Sequence, residues 1–154
     1  MTDRQDEIST LNTLIATLID SITGYEDAAS NSEAGRFQQI FRERAGERQR
    51  VVEELRAEVR RLGGNPEDDG SFMGKTHQRF LDLKSAITGR DDQAIINEVE
   101  HGEDYLKEKF ETALNDGDLS GESRAVVERC YQSVRSGHDQ MSRLKHGMEA
   151  DTQA

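Results

Sequence analysis

Residues 8–29 read ISTLNTLIATLIDSITGYEDAA, and the apolar pattern of this stretch decides the fold class. Its apolar side chains recur at spacings that alternate between three and four residues, at Ile8, Leu11, Ile15, Leu18, Ile22, Tyr25 and Ala29. Such spacing draws one apolar stripe along an α-helix, which is typical of a helix packed in a bundle. The pattern therefore predicts a first helix over residues 3–30.

The segment that follows predicts a second helix over residues 33–62. Asn31 and Ser32 form a short polar break between the two helices. The apolar stripe of the second helix is interrupted near its centre by Arg44, Glu47 and Arg48. The helix should end at the Gly-Gly-Asn-Pro sequence of residues 63–66, because glycine permits a left-handed cap and proline cannot continue a helix.

Three further helical segments are predicted in the rest of the chain. An acidic loop over residues 65–71 leads to a shorter helix over residues 72–88, and Gly89 ends it. A third long helix, capped by Asp91 or Asp92, should run to residue 114, and a fourth should run from Ser120 to Met148. The prediction is an all-α, up-down bundle in which two antiparallel hairpins are joined by a helical crossover segment. It forms one domain over residues 1–148, followed by a polar tail at 149–154.

The net charge, the apolar runs and the cysteine count of the chain limit the classes of function that it could have. The chain has 154 residues and a formal net charge of -11, which disfavours binding to nucleic acids and to anionic membranes. Its longest apolar runs are too short for a transmembrane helix, and its acidic N-terminus is unlike a secretory signal. Cys130 is the only cysteine, so we expect a buried, inert thiol. A cytoplasmic location is the expectation.

Five short patterns give the chain a resemblance to a known family. In chain order they occupy Leu11–Ile15, Gly24–Glu26, Leu62–Pro66, Thr76–Phe80 and Gly102–Asp104. With these patterns the chain resembles the small proteobacterial four-helix-bundle proteins classed as a ferritin-like domain of unknown function. The resemblance spans nearly the whole chain and implies a ferritin-like fold, but it implies no particular activity.

Ferritin-like di-iron proteins suggest where a metal site would lie. Their inward-facing ligands are a Glu from each of two helices and a Glu-x-x-His pair from each of the other two. In this chain Glu26, Glu103 and His138 lie on the apolar stripes of their helices, and Glu100 lies one turn from Glu103. These four residues are the predicted ligands of one iron or manganese ion, since carboxylates and imidazole suit both metals.

The same residues have a competing structural interpretation. The di-iron pattern is incomplete, because Arg135 stands three residues before His138 and Arg50 stands three residues after Glu47. A carboxylate in the core could instead pair with a neighbouring arginine, and His138 could bind a single carboxylate. We favour this second interpretation, and it predicts that the arginines inside the second stripe, Arg44 or Arg48, pair with an acid.

Three functional hypotheses remain open at the level of the sequence. The leading one is a ferritin-like bundle with a stress-related role and at most a reduced or degenerate metal site. The alternatives are an oxidase-type protein that binds iron or manganese, and a non-catalytic helical module that binds a protein partner, including a second copy of itself through a helical face. No residue is assigned a catalytic role, and whether the protein is an enzyme stays open.

Overall fold

All the regular secondary structure in the described parts of the chain is α-helical. The computed structural model describes residues 4–67, 89 and 91–153, with the side chains of the last helix described up to residue 147. Its helices are α1 (Arg4–Asn31), α2 (Gly35–Arg61), α3 (Asp92–Asn115) and α4 (Gly121–Gln153), and no strand occurs in these ranges. The all-α prediction is confirmed. The predicted crossover helix over residues 72–88 lies outside the described residues.

Contacts at the two ends of the bundle fix the direction of each helix. At one end the Asp92 carboxylate accepts hydrogen bonds from the backbone N–H groups of Glu33 and Ala34, so α3 begins beside the α1–α2 turn. At the other end Glu7 of α1 binds Ser120, which immediately precedes α4. Hence α1 runs antiparallel to both α2 and α3, and the two interhelical turns lie at opposite ends. This is the predicted arrangement of two hairpins in a ferritin-like bundle.

The C-terminal end of α2 has the geometry that its sequence predicts. Gly63 has a φ of 85°, its N–H donates to the carbonyl of Arg60, and the N–H of Gly64 donates to the carbonyl of Val59. This pair of hydrogen bonds is the Schellman motif, which requires a left-handed residue directly after the helix. A side chain at Gly64 would also collide with Ile8, so α1 packs closely over this turn.

The α4 helix extends further than the sequence suggested. It continues through Gln153, whereas the apolar stripe placed the last helical residue at Met148. Its side chains are described only to residue 147, so the domain boundary at residue 148 stays a prediction.

The core is built around the apolar stripe of residues 8–29. Leu11, Leu14, Ile15 and Leu18 are fully buried or nearly so, and they pack with the apolar residues of the other three helices. Burying a leucine or isoleucine side chain stabilises a fold by about 1.5–3 kcal/mol, so this stripe drives the closure of the bundle. Within the described residues, no helix combines the length and the apolar character needed to cross a membrane.

Two buried carboxylates, Glu7 and Glu58, bind residues at the start of α4 at one end of the bundle. Glu7 Oε1 accepts hydrogen bonds from both the N–H and the hydroxyl of Ser120, at 2.8 and 2.6 Å. Glu58 accepts hydrogen bonds from Arg61 and from the buried Ser123 hydroxyl. The Arg61 guanidinium holds the pKa of Glu58 below its usual value. Burial acts to raise the pKa of Glu7, but the hydrogen bonds from Ser120 outweigh it, so this pKa is also lowered.

Candidate functional site

A buried ion pair joins the middle of α2 to the middle of α3. Arg48 Nη2 lies 2.7 Å from Glu103 Oε2, and the two side chains are 0% and 2% exposed. An isolated charge at such a position would be strongly unfavourable, so each side chain depends on the other. The prediction that an arginine within the α2 stripe pairs with an acid is confirmed.

The α1 helix supplies the remaining partners of this pair. The Tyr25 hydroxyl donates to Glu103 Oε1 at 2.5 Å, and Arg48 Nη1 donates to Ser21 Oγ at 2.8 Å. Burial, together with the negative charge of Glu103, raises the pKa of Tyr25 well above its usual value, so the phenol keeps its proton. Burial opposes the charge on Arg48, yet the Glu103 carboxylate raises the pKa of that guanidinium overall. The site therefore contains one cation, one anion and a neutral phenol.

A second arginine extends the polar region towards α4. Arg44 Nη1 lies 2.6 Å from Glu47 Oε2, and Arg44 Nη2 donates to Gln140 Oε1 at 2.6 Å. The Ser133 hydroxyl donates to the other oxygen of Glu47. Arg44 is thus neutralised by a carboxylate on its own helix, one turn further along α2.

The α4 backbone leaves room for both guanidinium groups at Gly137. A Cβ atom built at this position would overlap Arg48 Nη2 and would stand 3.2 Å from Arg44 Cδ. Glycine allows this approach because it has no side chain. All four helices therefore take part: α1 through Ser21 and Tyr25, α2 and α3 through the ion pair, and α4 through Gly137.

The interior does not fit a di-iron centre. Such a centre takes four carboxylates and two histidines from the inward faces of the helices. Here Glu103 and Glu47 are already paired with arginines at 2.7 and 2.6 Å. The chain does contain a Glu-x-x-His spacing at Glu98 and His101, whose Oε2 and Nδ1 atoms lie 3.9 Å apart, but these side chains are 38% and 54% exposed. The carboxylates and histidines needed around a pair of iron ions are not gathered in the described part of the core.

Glu26 does not occupy the inward position that the sequence assigned to it. Its side chain is exposed, while the adjacent Tyr25 is 2% exposed and reaches the ion pair. Successive helical residues are rotated by about 100° around the helix axis, and this rotation carries Glu26, which is exposed, out of the inward position. The larger apolar body of Tyr25 takes that place. Convergence of Glu26, Glu103 and His138 in the interior was therefore a wrong prediction.

The other two predicted ligands meet at the surface between α3 and α4. Glu100, Asp104 and His138 each offer one ligand atom within 4.8 Å of the others. His138 Nε2 lies 2.6 Å from Asp104 Oδ1, and the exposed fractions of Glu100, Asp104 and His138 are 12%, 54% and 17%. We name these three residues the surface triad. It contains two of the four predicted ligands, Glu100 and His138, together with Asp104, which was not among the predicted ligands.

Charged neighbours partly occupy the surface triad. Lys145 Nζ lies 3.1 Å from Glu100, and Asp139 lies 3.3 Å from His138 Nδ1. An incoming cation must compete with the lysine for Glu100. The helical spacing of Glu100 and Asp104, four residues apart on one face, was the available sequence signal for the missed ligand.

Cys130 has the environment expected of an unreactive thiol. It is 2% exposed, and burial beside the Glu54 carboxylate raises its pKa to about 12. A thiol with such a pKa carries almost no thiolate at neutral pH, and the thiolate is the reactive form. Cys130 therefore contributes to the packing of the hydrophobic core.

Two solved structures have the same fold as this chain. Dps from Staphylococcus aureus superposes with a TM-score of 0.75 at 19% identity, over 94% of this chain and 98% of that chain. A Dps protein from Vibrio cholerae O1, a member of a broad superfamily of ferritin-like diiron-carboxylate proteins, gives a TM-score of 0.64 at 18% identity, over 97% and 92% of the two chains. At these identities the likeness establishes the ferritin-like fold.

Comparison at the level of sequence identifies the family. No curated protein matches the chain. The model of a family described as a domain of unknown function, DUF2383, matches residues 6–116, which is more than half of the chain. The resemblance found in the sequence is thereby confirmed, and the chain belongs to the DUF2383 family.

Proposed function

We propose that the protein binds one divalent first-row metal ion, iron or manganese, at the surface triad, and that its core carries no di-iron chemistry. The observation that carries the proposal is the meeting of three ligand atoms from Glu100, Asp104 and His138 within 4.8 Å. Metal–ligand bonds of about 2.0–2.3 Å allow ligand atoms up to about 4.5 Å apart on one ion. The triad needs only a small adjustment to meet that limit.

The chemistry of the ligands and the structural similarity to ferritin-like proteins both favour iron or manganese. The two carboxylates and one imidazole of the triad are the donor types that non-haem iron sites combine. One structural relative belongs to a superfamily of ferritin-like diiron-carboxylate proteins, which supports iron as the first candidate. Binding should be weak, because Lys145 competes for Glu100 and Asp104 is half exposed to water.

Metal titration of matched variants tests this proposal. The protein is purified without a nickel column and stripped with a chelator, and Mn²⁺ binding is followed by electron paramagnetic resonance. His138→Gln should weaken binding at least about tenfold, as expected when a ligand is lost. The control is His146→Gln, which removes an exposed histidine of the same helix that is not part of the triad. Equal affinity of both variants and the native chain would refute the assignment.

Iron chemistry beyond binding requires a separate measurement. The oxidase-type hypothesis predicts oxygen consumption when Fe²⁺ is added, and this consumption should disappear in His138→Gln but persist in His146→Gln. Iron that binds without consuming oxygen would leave the protein as a metal-binding bundle. This second result is the one we expect, since the triad offers three ligands for a single ion.

Location and assembly belong to the same proposal. We propose a cytoplasmic protein with a stress-related role that forms a homodimer through a helical face. Light scattering after gel filtration tests the dimer, with a mass near twice 17.3 kDa expected. A mass near 17.3 kDa would show a monomer and would leave the metal proposal unaffected.

A further inference from the structure

We propose that the Arg48 guanidinium is a resident cation, which occupies the interior cation position of this ferritin-like bundle and so closes the core to metal. In ferritin-like di-iron proteins, metal ions at the centre of the bundle neutralise the inward carboxylates. In this chain the charge opposite Glu103 comes from a side chain instead. The polypeptide thus supplies a permanent cation for its own site.

The surroundings of Arg48 are those of a cation site made of oxygen ligands. Its guanidinium meets a carboxylate oxygen of Glu103 at 2.7 Å and the hydroxyl oxygen of Ser21 at 2.8 Å. The Tyr25 oxygen binds the second carboxylate oxygen of Glu103, and the guanidinium carbon lies 5.6 Å from the centre of the Tyr25 ring. Oxygen ligands of this kind would also suit a hard divalent ion.

Gly137 shows that the site is shaped for a guanidinium. The space that a Cβ atom would take at this position is filled by Arg48 Nη2. By contrast, no atom of the described residues lies within 4 Å of a Cβ atom built at Gly147 of the same helix. The α4 helix therefore has no side chain at the point where the planar guanidinium of Arg48 lies, and a smaller cation would leave that space unfilled.

The proposal makes a claim that an ordinary structural salt bridge does not. If Arg48 only fills space, its removal leaves a cavity with no preference for cations. If Arg48 holds a cation site, its removal leaves Glu103, Tyr25 and Ser21 able to take an external cation. Chemical rescue separates the two cases, because the added ion restores charge without restoring the covalent side chain.

The experiment measures the thermal midpoint of Arg48→Ala with added cations. All variants carry His138→Gln, so that metal binding at the surface triad does not contribute and failure of the proposed function stays distinguishable. Guanidinium chloride and MnCl₂ are each added at millimolar concentration, with NaCl of equal ionic strength as the reference. We expect a rise in midpoint of roughly 5 °C or more for at least one cation at a hundredfold excess over its Kd.

The double variant Arg48→Ala/Glu103→Gln is the matched control. It has the same cavity but lacks the carboxylate, so neither cation should raise its midpoint. The proposal is overturned if Arg48→Ala folds and gains nothing from either cation, or if the double variant gains as much as the single variant.

A second measurement applies if Arg48→Ala does not fold. Glu103→Gln in the otherwise native chain keeps a similar shape and removes the buried anion. If Arg48 closes the core, this change leaves the Mn²⁺ affinity of the protein unchanged within about twofold. A tenfold loss of affinity would show that Glu103 ligates metal in the native chain, and it would overturn the proposal.

Discussion

Several contacts hold Arg48 in the core. Each contact restricts which residue types can occupy the position that it touches. Its charge requires Glu103, and its Nη1 atom requires an acceptor such as Ser21 Oγ. Its volume requires Gly137, because any Cβ atom at that position would overlap Nη2. A glycine within a helix costs about 1 kcal/mol relative to alanine, so a specific packing need explains its presence here.

Gly137→Ala should therefore destabilise the protein, although alanine is the better helix former. The overlap with Arg48 forces a shift of packed groups, which typically costs about 1–3 kcal/mol. The matched control is Gly147→Ala in the same helix, where no atom of the described part of the chain lies within 4 Å of the added atom and a gain of up to about 1 kcal/mol is expected. Urea unfolding followed by circular dichroism at 222 nm measures both. Equal or greater stability of Gly137→Ala would contradict the packing described for Arg48.

Single residues also show how far the sequence could predict the site. Periodicity placed Arg48 and Glu103 on inward stripes, and the cost of a buried charge required that each have a partner. Periodicity placed both Tyr25 and Glu26 on the inward side of α1, whereas only Tyr25 faces the core in the structure. The four-residue spacing places Asp104 on the same face of α3 as Glu100, but its contact with His138 depends on how α3 packs on α4 and cannot be read from that spacing.

At the scale of the helix, some ends are set by the local sequence and others are also held by tertiary contacts. Gly63 and Pro66 predicted the end of α2, and Asp91 caps α3 by accepting from the N–H of Ala94. The start of α2 has no side-chain cap of its own, because the preceding turn is held by Asp92, whose position is distant in sequence. In the same way, the residue before α4 is held by Glu7 of α1.

The contact between α1 and the start of α4 should make stability depend on pH in the acidic range. The folded-state pKa values of Glu7 and Glu58 are both lowered from 4.5. A carboxyl whose pKa is lower in the folded state stabilises the fold above its unfolded pKa, and this stabilisation is lost as the pH falls through the folded pKa. The free energy of unfolding should therefore fall as the pH is lowered below about 4.5.

Substitution of these carboxyls tests the origin of that loss. Glu7→Gln/Glu58→Gln should be less stable than the native chain at pH 7 and should lose less stability on acidification. Asp6→Asn, which removes an exposed carboxyl in the same turn of α1, is the control for loss of a carboxylate outside these contacts. Urea unfolding at a series of pH values gives, for each protein, the slope of the free energy of unfolding against pH. Identical slopes for the double variant and the native chain would show that other groups cause the acid sensitivity.

At the scale of the whole molecule, the ion pair joins the two hairpins. Arg48 belongs to the α1–α2 hairpin and Glu103 to the α3–α4 hairpin, and their contact lies near the middle of both helices. Apolar side chains fill the layers around it and tolerate a range of alignments. The ion pair tolerates few alignments of the two hairpins, because a shift of one residue would separate two buried charges. It therefore helps to fix how one hairpin aligns against the other.

A double-mutant cycle measures this coupling between the hairpins. Arg48→Met alone leaves Glu103 buried without its cation, and Glu103→Gln alone leaves Arg48 without its anion, so removal of one partner should cost about 3–5 kcal/mol. The double variant lacks both charges of the pair, and the amide oxygen that Glu103→Gln introduces can still accept from the Tyr25 hydroxyl. Its stability should therefore return to within about 1 kcal/mol of the native chain, since apolar replacement of a buried pair is often neutral. Urea unfolding of the four proteins gives the coupling energy, and losses that simply add in the double variant would show that the two hairpins are aligned by apolar packing alone.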